Sequence, residues 1–414
     1  MASRGARWLC VEALSRWEAG GSFAEEILHA LQSEHRPEAQ ERALFTELFY
    51  GVLRNLARLD HCIAALRDSP VDPRTRQTLR TGLYQIFHLR IPDHAAVHAT
   101  VEIAGRARGL ANAVLRRAIR ERERLLASIE TAPLPLRTSH PAFLVERWSE
   151  RFGPETAEHL CAWNNQPAPL TVRANRLKVT PGELARSTPE AQPHPFHPAT
   201  LTVPHLPLPW ILGGLCYVQD PSTLMACDLL APIPGETVLD ACAAPGGKTS
   251  YLAELMQNEG QIVACDAIAR RLDTLSSNLA RLGLRNARSV AHDWLGTTPA
   301  PFEPGSFDRI LLDVPCSNTG VMRRRVDVRW RLRPDDFKRM QKRQVRIATA
   351  AARHLRPGGV LVYSTCSMEA EENEESARLI AAATPGLRLE ETRACTPVAD
   401  GVDGAFAARF VRQD

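Results

Sequence analysis

Two cysteines in this chain stand where a thiol could do chemistry. Each follows a short apolar run that reads as a strand: Asp313-Val314-Pro315-Cys316-Ser317-Asn318-Thr319-Gly320 comes after Phe307 to Leu312, and Tyr363-Ser364-Thr365-Cys366-Ser367 ends the run that begins at Gly359. Either cysteine alone reads most simply as a buried small apolar residue. Two thiols after strand ends over one crevice favour chemistry instead. A thiolate is the natural nucleophile for a pyrimidine, because carbon 5 of cytosine is too weakly nucleophilic to take a methyl group unaided. Attack on carbon 6 breaks the conjugation and pushes electron density to carbon 5, which can then displace methyl from a sulfonium donor. Loss of the carbon-5 proton and of the cysteine restores the base, and a second thiol fits that release half. The attacking thiol needs cationic or dipolar neighbours.

The stretch from Glu236 to Ser250 reads as a strand, a tight small-residue turn and the start of a helix: Val238-Leu239-Asp240, then Ala241 to Ala244, then Pro245-Gly246-Gly247-Lys248-Thr249. Glycines let a ligand approach the backbone, and the helix start offers unpaired N–H groups and the positive end of its dipole. Gly-Gly-Lys-Thr suggests a phosphate loop, but that motif needs glycine where Cys242 stands, and the G-x-G-x-x-G of dinucleotide enzymes is missing too. What remains is a Rossmann-like turn after Asp240, with a second acidic strand end at Asp266. A carboxylate about twenty residues beyond the glycines suits a ribose diol. The pair points to an adenosine-type cofactor, with a purely structural turn equally open.

The elements that must position these residues alternate from Val218 onward. A helix at Leu224 to Leu230 precedes the turn. Then come strand Gln261 to Asp266, helix Ala269 to Leu282, strand Ala287 to His292, strand Phe307 to Asp313, helix Pro334 to Leu355, strand Gly359 to Ser364 and helix Glu371 to Ala383. That order predicts a mostly parallel, doubly wound sheet whose ligands bind beyond the carboxyl ends of the strands. Asp240, Asp266, Asp293, Asp313 and Ser364-Thr365-Cys366 all fall on that edge. Residues 1–130 read instead as helix after helix, with apolar positions every three or four residues in Leu9 to Trp17, Phe23 to Leu31, Ala43 to Leu56 and Leu79 to Leu89. The prolines of Thr131-Ala132-Pro133-Leu134-Pro135 mark a boundary. A connecting α+β segment, 131–215, holds helices from Ser139 to Phe152 and Glu155 to Trp163, strand Leu170 to Asn175, and a Pro- and His-rich loop region at 187–209.

At 414 residues, two or three domains are expected. The ten cysteines include no Cys-x-x-Cys pair, no leader-like start is visible and no apolar window approaches the length of a membrane span, so disulfide scaffolds, secretion and membrane insertion are not expected. A reducing, cytoplasmic setting is. His194, His197 and His205 lack cysteine or acidic partners at ligand spacing, so no metal is expected. The net charge is only +4, and lysine is confined to Lys178, Lys248, Lys338 and Lys342. Two arginine clusters stand out. Arg116, Arg117, Arg120, Arg122 and Arg124 alternate with Glu121 and Glu123 and read as a solvated face, with phosphate contact as the other reading. The run Arg323-Arg324-Arg325, Arg329, Arg331, Arg333, Lys338, Arg339, Lys342, Arg343 and Arg346 begins just after the Cys316 loop, where adjacency to the thiol favours an RNA-backbone contact over the other reading, a solvated face.

Asp93 to Glu102 with Leu110 to Arg117 resembles the closing helices of NusB-like RNA-binding domains. Asp240-Ala-Cys-Ala-Ala-Pro-Gly-Gly-Lys-Thr249, Asp313-Val-Pro-Cys316 and Ser364-Thr-Cys366-Ser, followed by Glu371-Glu372-Asn373-Glu374, resemble in order the signatures of the NOL1/NOP2/Sun RNA 5-methylcytosine methyltransferases. With the helical front, the likeness is to the RsmB/Sun (Fmu) branch, which acts on small-subunit (16S) ribosomal RNA. The resemblance implies an N-terminal all-α NusB-like domain (1–130), the connecting α+β domain, and a class I Rossmann-like methyltransferase domain (216–414) using S-adenosyl-L-methionine. It implies that Cys242, Ala243, Ala244, Pro245, Gly246, Gly247 and Lys248 form the cofactor loop. Asp266, supported by Arg271, would hold the ribose, Asp293 would lie beside the adenine, and Asp313 between the cofactor's charged end and the cytosine. It makes Cys366 the nucleophile and Cys316 the residue that assists release. The family usually has glycine at Asn318, and asparagine tolerates the positive φ such a turn needs. A monomer acting on a single-stranded or flipped cytosine of ribosomal RNA is expected. The alternatives are a cytosine-5 methyltransferase of tRNA, one acting on a small molecule, and a non-catalytic RNA-binding assembly factor.

Overall fold

The computed structural model describes residues 4–413. The chain forms two compact units. One comprises the residues up to Gln166 together with Met322–Arg331, the other Pro167–Val321 together with Leu332–Asp414.

The first unit is helical. Apolar residues at helical spacing give helices Ala6–Ala19, Ala24–His35, Ala39–Arg54, Leu56–Leu66, Pro73–His88, Asp93–Ile103, Arg108–Arg120 and Arg122–Glu130, followed by Leu134–Thr138, Ala142–Phe152 and Pro154–Asn165. Starts are set locally. Pro73 occupies the first turn of its helix, where no N–H is needed, and the Asp72 carboxylate accepts the Thr75 N–H at 3.0 Å. Leu9, Leu14, Phe45, Phe49, Leu83 and Leu115 face one core and are fully buried. Burying each such side chain stabilises by roughly 1.5–3 kcal/mol. The Arg116–Arg124 cluster spans two helices that break at Glu121. Arg117 and Arg124 share the Glu121 carboxylate and Arg122 bonds Asp93, so three of the five arginines are paired, against two carboxylate charges.

Met322–Arg331 corrects part of the expected RNA-contacting run. Arg329 is fully buried and donates to the carbonyls of Asn164 (2.9 Å) and Ser139 (3.3 Å) and to Asn165 Oδ1 (2.7 Å). Burial pulls its guanidinium down to about 9. Arg323 is also buried, its guanidinium 3.9 Å from the Trp163 ring centre, and Arg331 pairs with Asp327 at 3.2 Å. Val326 lies in the helical core, Trp330 donates to the Leu53 carbonyl at 2.8 Å, and Asp327 accepts the Ala24 N–H at the start of its helix. Positive charge at these positions is structural. A run of arginines in a sequence does not separate a solvated face from a set of buried hydrogen-bond donors.

The second unit carries two sheets. The smaller is antiparallel, built from β1 (Leu170–Ala174), β2 (Gln192–Pro193), β3 (Thr200–Val203) and β4 (Cys216–Val218), in the order β2-β3-β1-β4. The larger contains β5 (Thr237–Asp240), β6 (Gln261–Asp266), β7 (Ala287–Ala291), β8 (Phe307–Asp313), β9 (Leu355–Thr365), β10 (Leu387–Cys395) and β11 (Ala405–Arg412). Its order is β10-β11-β9-β8-β5-β6-β7. The five strands from β9 to β7 are parallel, and β11 and β10 extend the β9 side antiparallel. Helices clothe both faces, so each strand sends successive residues into different cores. Val238, Ile262, Leu311 and Val362 join one, while Leu239, Val263, Ile310 and Leu361 join the other. The strands beyond residue 386 are absent from the alternation seen in the sequence. β10 is an edge strand with Arg388, Glu390, Glu391 and Arg393 along it, and it packs little apolar surface.

Arg173, on β1, is fully buried. It donates to Gln219 Oε1 (2.6 Å), the Gly247 carbonyl (2.8 Å), Ser250 Oγ (2.8 Å) and Glu254 Oε1 (2.9 Å). The small sheet thereby grips the helix Gly247–Leu255 that follows the glycine turn. Replacing Arg173 by alanine leaves the buried Glu254 carboxylate only the Arg176 N–H at 3.4 Å and its guanidinium at 3.9 Å, which costs up to about 3–5 kcal/mol. The check is urea unfolding of Arg173→Ala, and a loss below about 1 kcal/mol would contradict the buried pairing.

Candidate active site

The carboxyl ends of β5, β6, β8 and β9 lie side by side because the parallel register aligns them: Asp240 opposite Leu311 and Ala264, Asp313 opposite Ser364. After β5 the chain turns through Ala241–Pro245 into Gly246, whose φ of 103° belongs to the left-handed region open to glycine. The Ala243 N–H bonds the Cys265 carbonyl at 2.7 Å, holding the turn against β6. Thr249 donates to Asp240 Oδ2 at 2.7 Å, while Asp240 Oδ1 is buried and has no hydrogen-bond partner.

Lys248, in the first turn of that helix, reaches the end of β8 and bonds Asp313 Oδ2 at 2.7 Å. Ser364 donates to Asp313 Oδ1 at 3.0 Å. Burial pulls the Lys248 ammonium down, but the Asp313 carboxylate more than offsets this, with help from the sulfurs of Cys227 and Cys366, and holds it above its ordinary range. At the end of β6, Asp266 accepts the Ile268 N–H at 2.9 Å and pairs with Arg271 at 3.2 Å, and Arg271 also donates to the Ala244 carbonyl at 2.6 Å. Asp293 caps its own loop, accepting the Leu295 N–H at 2.9 Å, and lines a cleft of about 560 Å³ with Trp294, Arg346 and Arg353.

The two thiols meet. Cys316 Sγ and Cys366 Sγ are 3.2 Å apart, and Cys366 also donates to Asn318 Oδ1 at 3.2 Å. Asn318 has a φ of 58°, and its amide donates to the Cys316 carbonyl at 2.9 Å, which closes the turn. The two sulfurs are not equivalent. Cys316 is buried and Cys366 half-buried, and the hydrogen bond to Cys366 together with burial pushes Cys316 well above the usual thiol range. Cys316 is thus the proton-holding partner and Cys366 the accessible one. The loops touch at Gly320, whose N–H bonds the Cys366 carbonyl at 3.0 Å. A Cβ there would come within 2.4 Å of the Gly404 carbonyl, so only glycine fits.

Sequence reasoning named these cysteines and carboxylates but gave no role to the groups between the loops. Glu372 accepts the Ser317 N–H (2.9 Å), the Ser317 hydroxyl, the Ser367 hydroxyl (2.5 Å) and the Gln344 amide (2.9 Å). The available signal was the Glu371-Glu372-Asn373-Glu374 stretch after Cys366, read only as the start of a helix.

Burial, with the nearby Asp313 charge, lifts Asp240 from the carboxylate range to about 7, against the hydrogen bond from Thr249. Since the folded state raises this pKa, the stability carried by neutral Asp240 is complete below the ordinary carboxylate range and is lost as pH rises through about 7. The loss runs at about 1.4 kcal/mol per pH unit. Unfolding of the wild type and of Asp240→Asn across this window should show the decline in the wild type and a flatter profile in the variant. Parallel profiles would be the contrary result.

Family models match three stretches of the chain: 16S rRNA methyltransferase RsmB/F over residues 227–411, the NusB family over 4–120, and an RsmF/B-like ferredoxin-like domain over 140–205. The ribosomal RNA small subunit methyltransferase B of Salmonella arizonae is 35% identical, aligned over 98% of each chain. The probable ribosomal RNA small subunit methyltransferase B of Bacillus subtilis is 35% identical over 89% of this chain and 86% of its own. A crystal structure of a methyltransferase homologue from Pyrococcus horikoshii superimposes with a TM-score of 0.59 at 31% identity, covering 67% of this chain and 97% of that one. The expected architecture holds: a class I Rossmann-like methyltransferase domain behind an all-α NusB-like front, with S-adenosylmethionine as methyl donor. With three family models in register and relatives aligned end to end, the chain belongs to the RsmB/F family of 16S rRNA methyltransferases.

Proposed function

We propose that this protein methylates carbon 5 of a cytosine in small-subunit ribosomal RNA through a transient bond between Cys366 Sγ and carbon 6. The observation that carries this reading is the 3.2 Å approach of an accessible thiol to a buried, protonated one, beside the Lys248–Asp313 pair. The half-buried Cys366 gives its proton to solvent and its sulfur adds to carbon 6, which makes carbon 5 electron-rich. When bound, S-adenosylmethionine supplies the electrophilic methyl group. Carbon 5 then gives its hydrogen as a proton to water, and the electron pair left behind expels Cys366 from carbon 6 as thiolate. Cys316 holds a proton 3.2 Å away, where it can rebalance the leaving sulfur.

The same reading assigns the cofactor's place. The residues fit an adenosyl sulfonium group, because the unpartnered Asp240 Oδ1 and the carboxylates of Asp266 and Asp313 gather around the glycine turn. Cys242 to Lys248 would wrap the methionyl part, Asp266 with Arg271 the ribose, Asp293 the adenine edge, and Asp313 the side toward the base. Residues 1–130 would serve RNA binding, 131–215 would connect, and 216–414 would transfer the methyl group, in a monomer acting in the cytoplasm.

With Arg323 and Arg329 buried, the exposed cations of the run are Arg325, Arg333 and those on helix Asp336–Ala352, which carries most of them. Lys338, Lys342 and Arg346 recur every four residues there and are exposed. Replacing all three with alanine should flatten the salt dependence of RNA binding by about two to three units of log–log slope. An unchanged slope places the phosphates elsewhere.

Tritiated cofactor with unmodified small-subunit RNA should label that RNA and leave tRNA unlabelled. Cys366→Ala should abolish labelling, whereas Cys316→Ala should accumulate a protein–RNA adduct that survives denaturation. Turnover retained in Cys366→Ala would remove the assigned nucleophile.

A further inference from the structure

Two loops carry the thiols and meet through the Gly320 N–H on the Cys366 carbonyl and the Met368 N–H on Thr319 Oγ1, and one buried side chain bonds the residues that follow both sulfurs. Glu372 is fully buried, and it is not part of the chemistry described above. Its Oε1 accepts the Ser317 N–H and the Gln344 amide, both at 2.9 Å. Its Oε2 accepts the hydroxyls of Ser317 and Ser367. Ser317 is the residue after Cys316, and Ser367 the residue after Cys366. The residues before the thiols are fixed as well. Gln344 donates to the Pro315 carbonyl at 3.0 Å, and Thr365 donates to Asn373 Oδ1 at 2.6 Å. The two serine hydroxyls lie 3.1 Å apart, and the Tyr363 hydroxyl donates to the Glu372 carbonyl at 2.5 Å.

A carboxylate without a cation is costly to bury, and it is stabilised here by donors alone. Burial raises Glu372 from its ordinary value, with the hydrogen bonds opposing the shift. Four donors from three chain segments converge on two oxygens. An arrangement that filled the space with apolar groups would bury less polarity at lower cost. What the carboxylate provides that apolar packing does not is a fixed distance between two loops.

We propose that Glu372 is a positioning residue for the methyl-transfer reaction: it clamps the loop after Cys316 to the loop after Cys366 and so sets the separation of the two sulfurs. The inference rests on the cysteine chemistry proposed above, but its geometry can be read without that chemistry. Glutamine at 372 keeps the shape and one acceptor oxygen, but it presents an amide to the serine hydroxyls. That side of the clamp opens.

The test uses the full-length protein and two readouts. Phenylarsine oxide bonds two neighbouring thiols through one arsenic, forming two S–As bonds and releasing water, so its affinity reports sulfur separation whether or not methyl is transferred. Background from the other cysteines is set by Cys316→Ser. Glu372→Gln should lose most of the Cys316-dependent capture and lower kcat by roughly ten- to a hundred-fold. KM for RNA and calorimetric affinity for S-adenosylhomocysteine should stay within about two-fold. Ser317→Ala, which removes one partner and keeps the carboxylate, should show a smaller loss of the same kind, and it serves if Glu372→Gln does not fold. Unchanged arsenical capture in the folded variants overturns the proposal, as does a parallel fall in kcat and cofactor affinity. Loss of capture with no methylation in the wild type would instead leave the clamp standing and remove the nucleophile assignment.

Discussion

The contact on which the site depends is the ion pair between Lys248 and Asp313. Its two halves come from different parts of the fold, the ammonium from the first helical turn after the glycines and the carboxylate from the tip of β8. Neither position is remarkable alone. Joined at 2.7 Å, they fix the height of the glycine turn over the strand end that leads to Cys316. Ser364, on the neighbouring strand, holds the other carboxylate oxygen, so the pair also registers the strand that leads to Cys366. One charge pair thus locates a cofactor-type turn and two thiol loops in a common frame. An exposed lysine–aspartate contact stabilises little, but with Lys248 only 15% exposed the pair is partly withdrawn from solvent, where geometry counts for more.

The asymmetry between the sulfurs follows from the same frame. Cys316 sits deeper, and the hydrogen bond with Cys366, then burial, favour its protonated form. Cys366 keeps access to solvent. A division between a buried thiol and an accessible one needs no other group. It needs two loops packed to different depths.

Much of this was legible in the sequence. Strand ends, the glycine turn and both cysteines stand in apolar runs with clear punctuation, and a parallel sheet buried on both faces writes its strands as continuous hydrophobic stretches. Asn318 was readable as a residue tolerant of positive φ, and the structure gives it 58°. Other features were hidden for identifiable reasons. β10 is an edge strand whose outward residues are charged, so it lacks a strand's usual apolar signature. Arg329 looks like its solvated neighbours because burial is decided by what folds over it, here Ser139, Asn164 and Asn165, far away in the chain. Glu372 is hidden for a third reason: its four donors come from positions as distant as Ser317 and Gln344, and no local spacing encodes that convergence.

The excursion of Met322–Arg331 into the helical unit has a consequence for how the protein can be taken apart. A chain that passes from one unit to the other once can be cut at its linker into independent pieces, but this one crosses three times. Removing everything before Pro167 would strip Val326 of its apolar surroundings and leave the Arg329 guanidinium without the carbonyls that hold it. The catalytic portion is therefore not a detachable module with an optional front. It carries ten residues of the other unit as part of its own covalent thread.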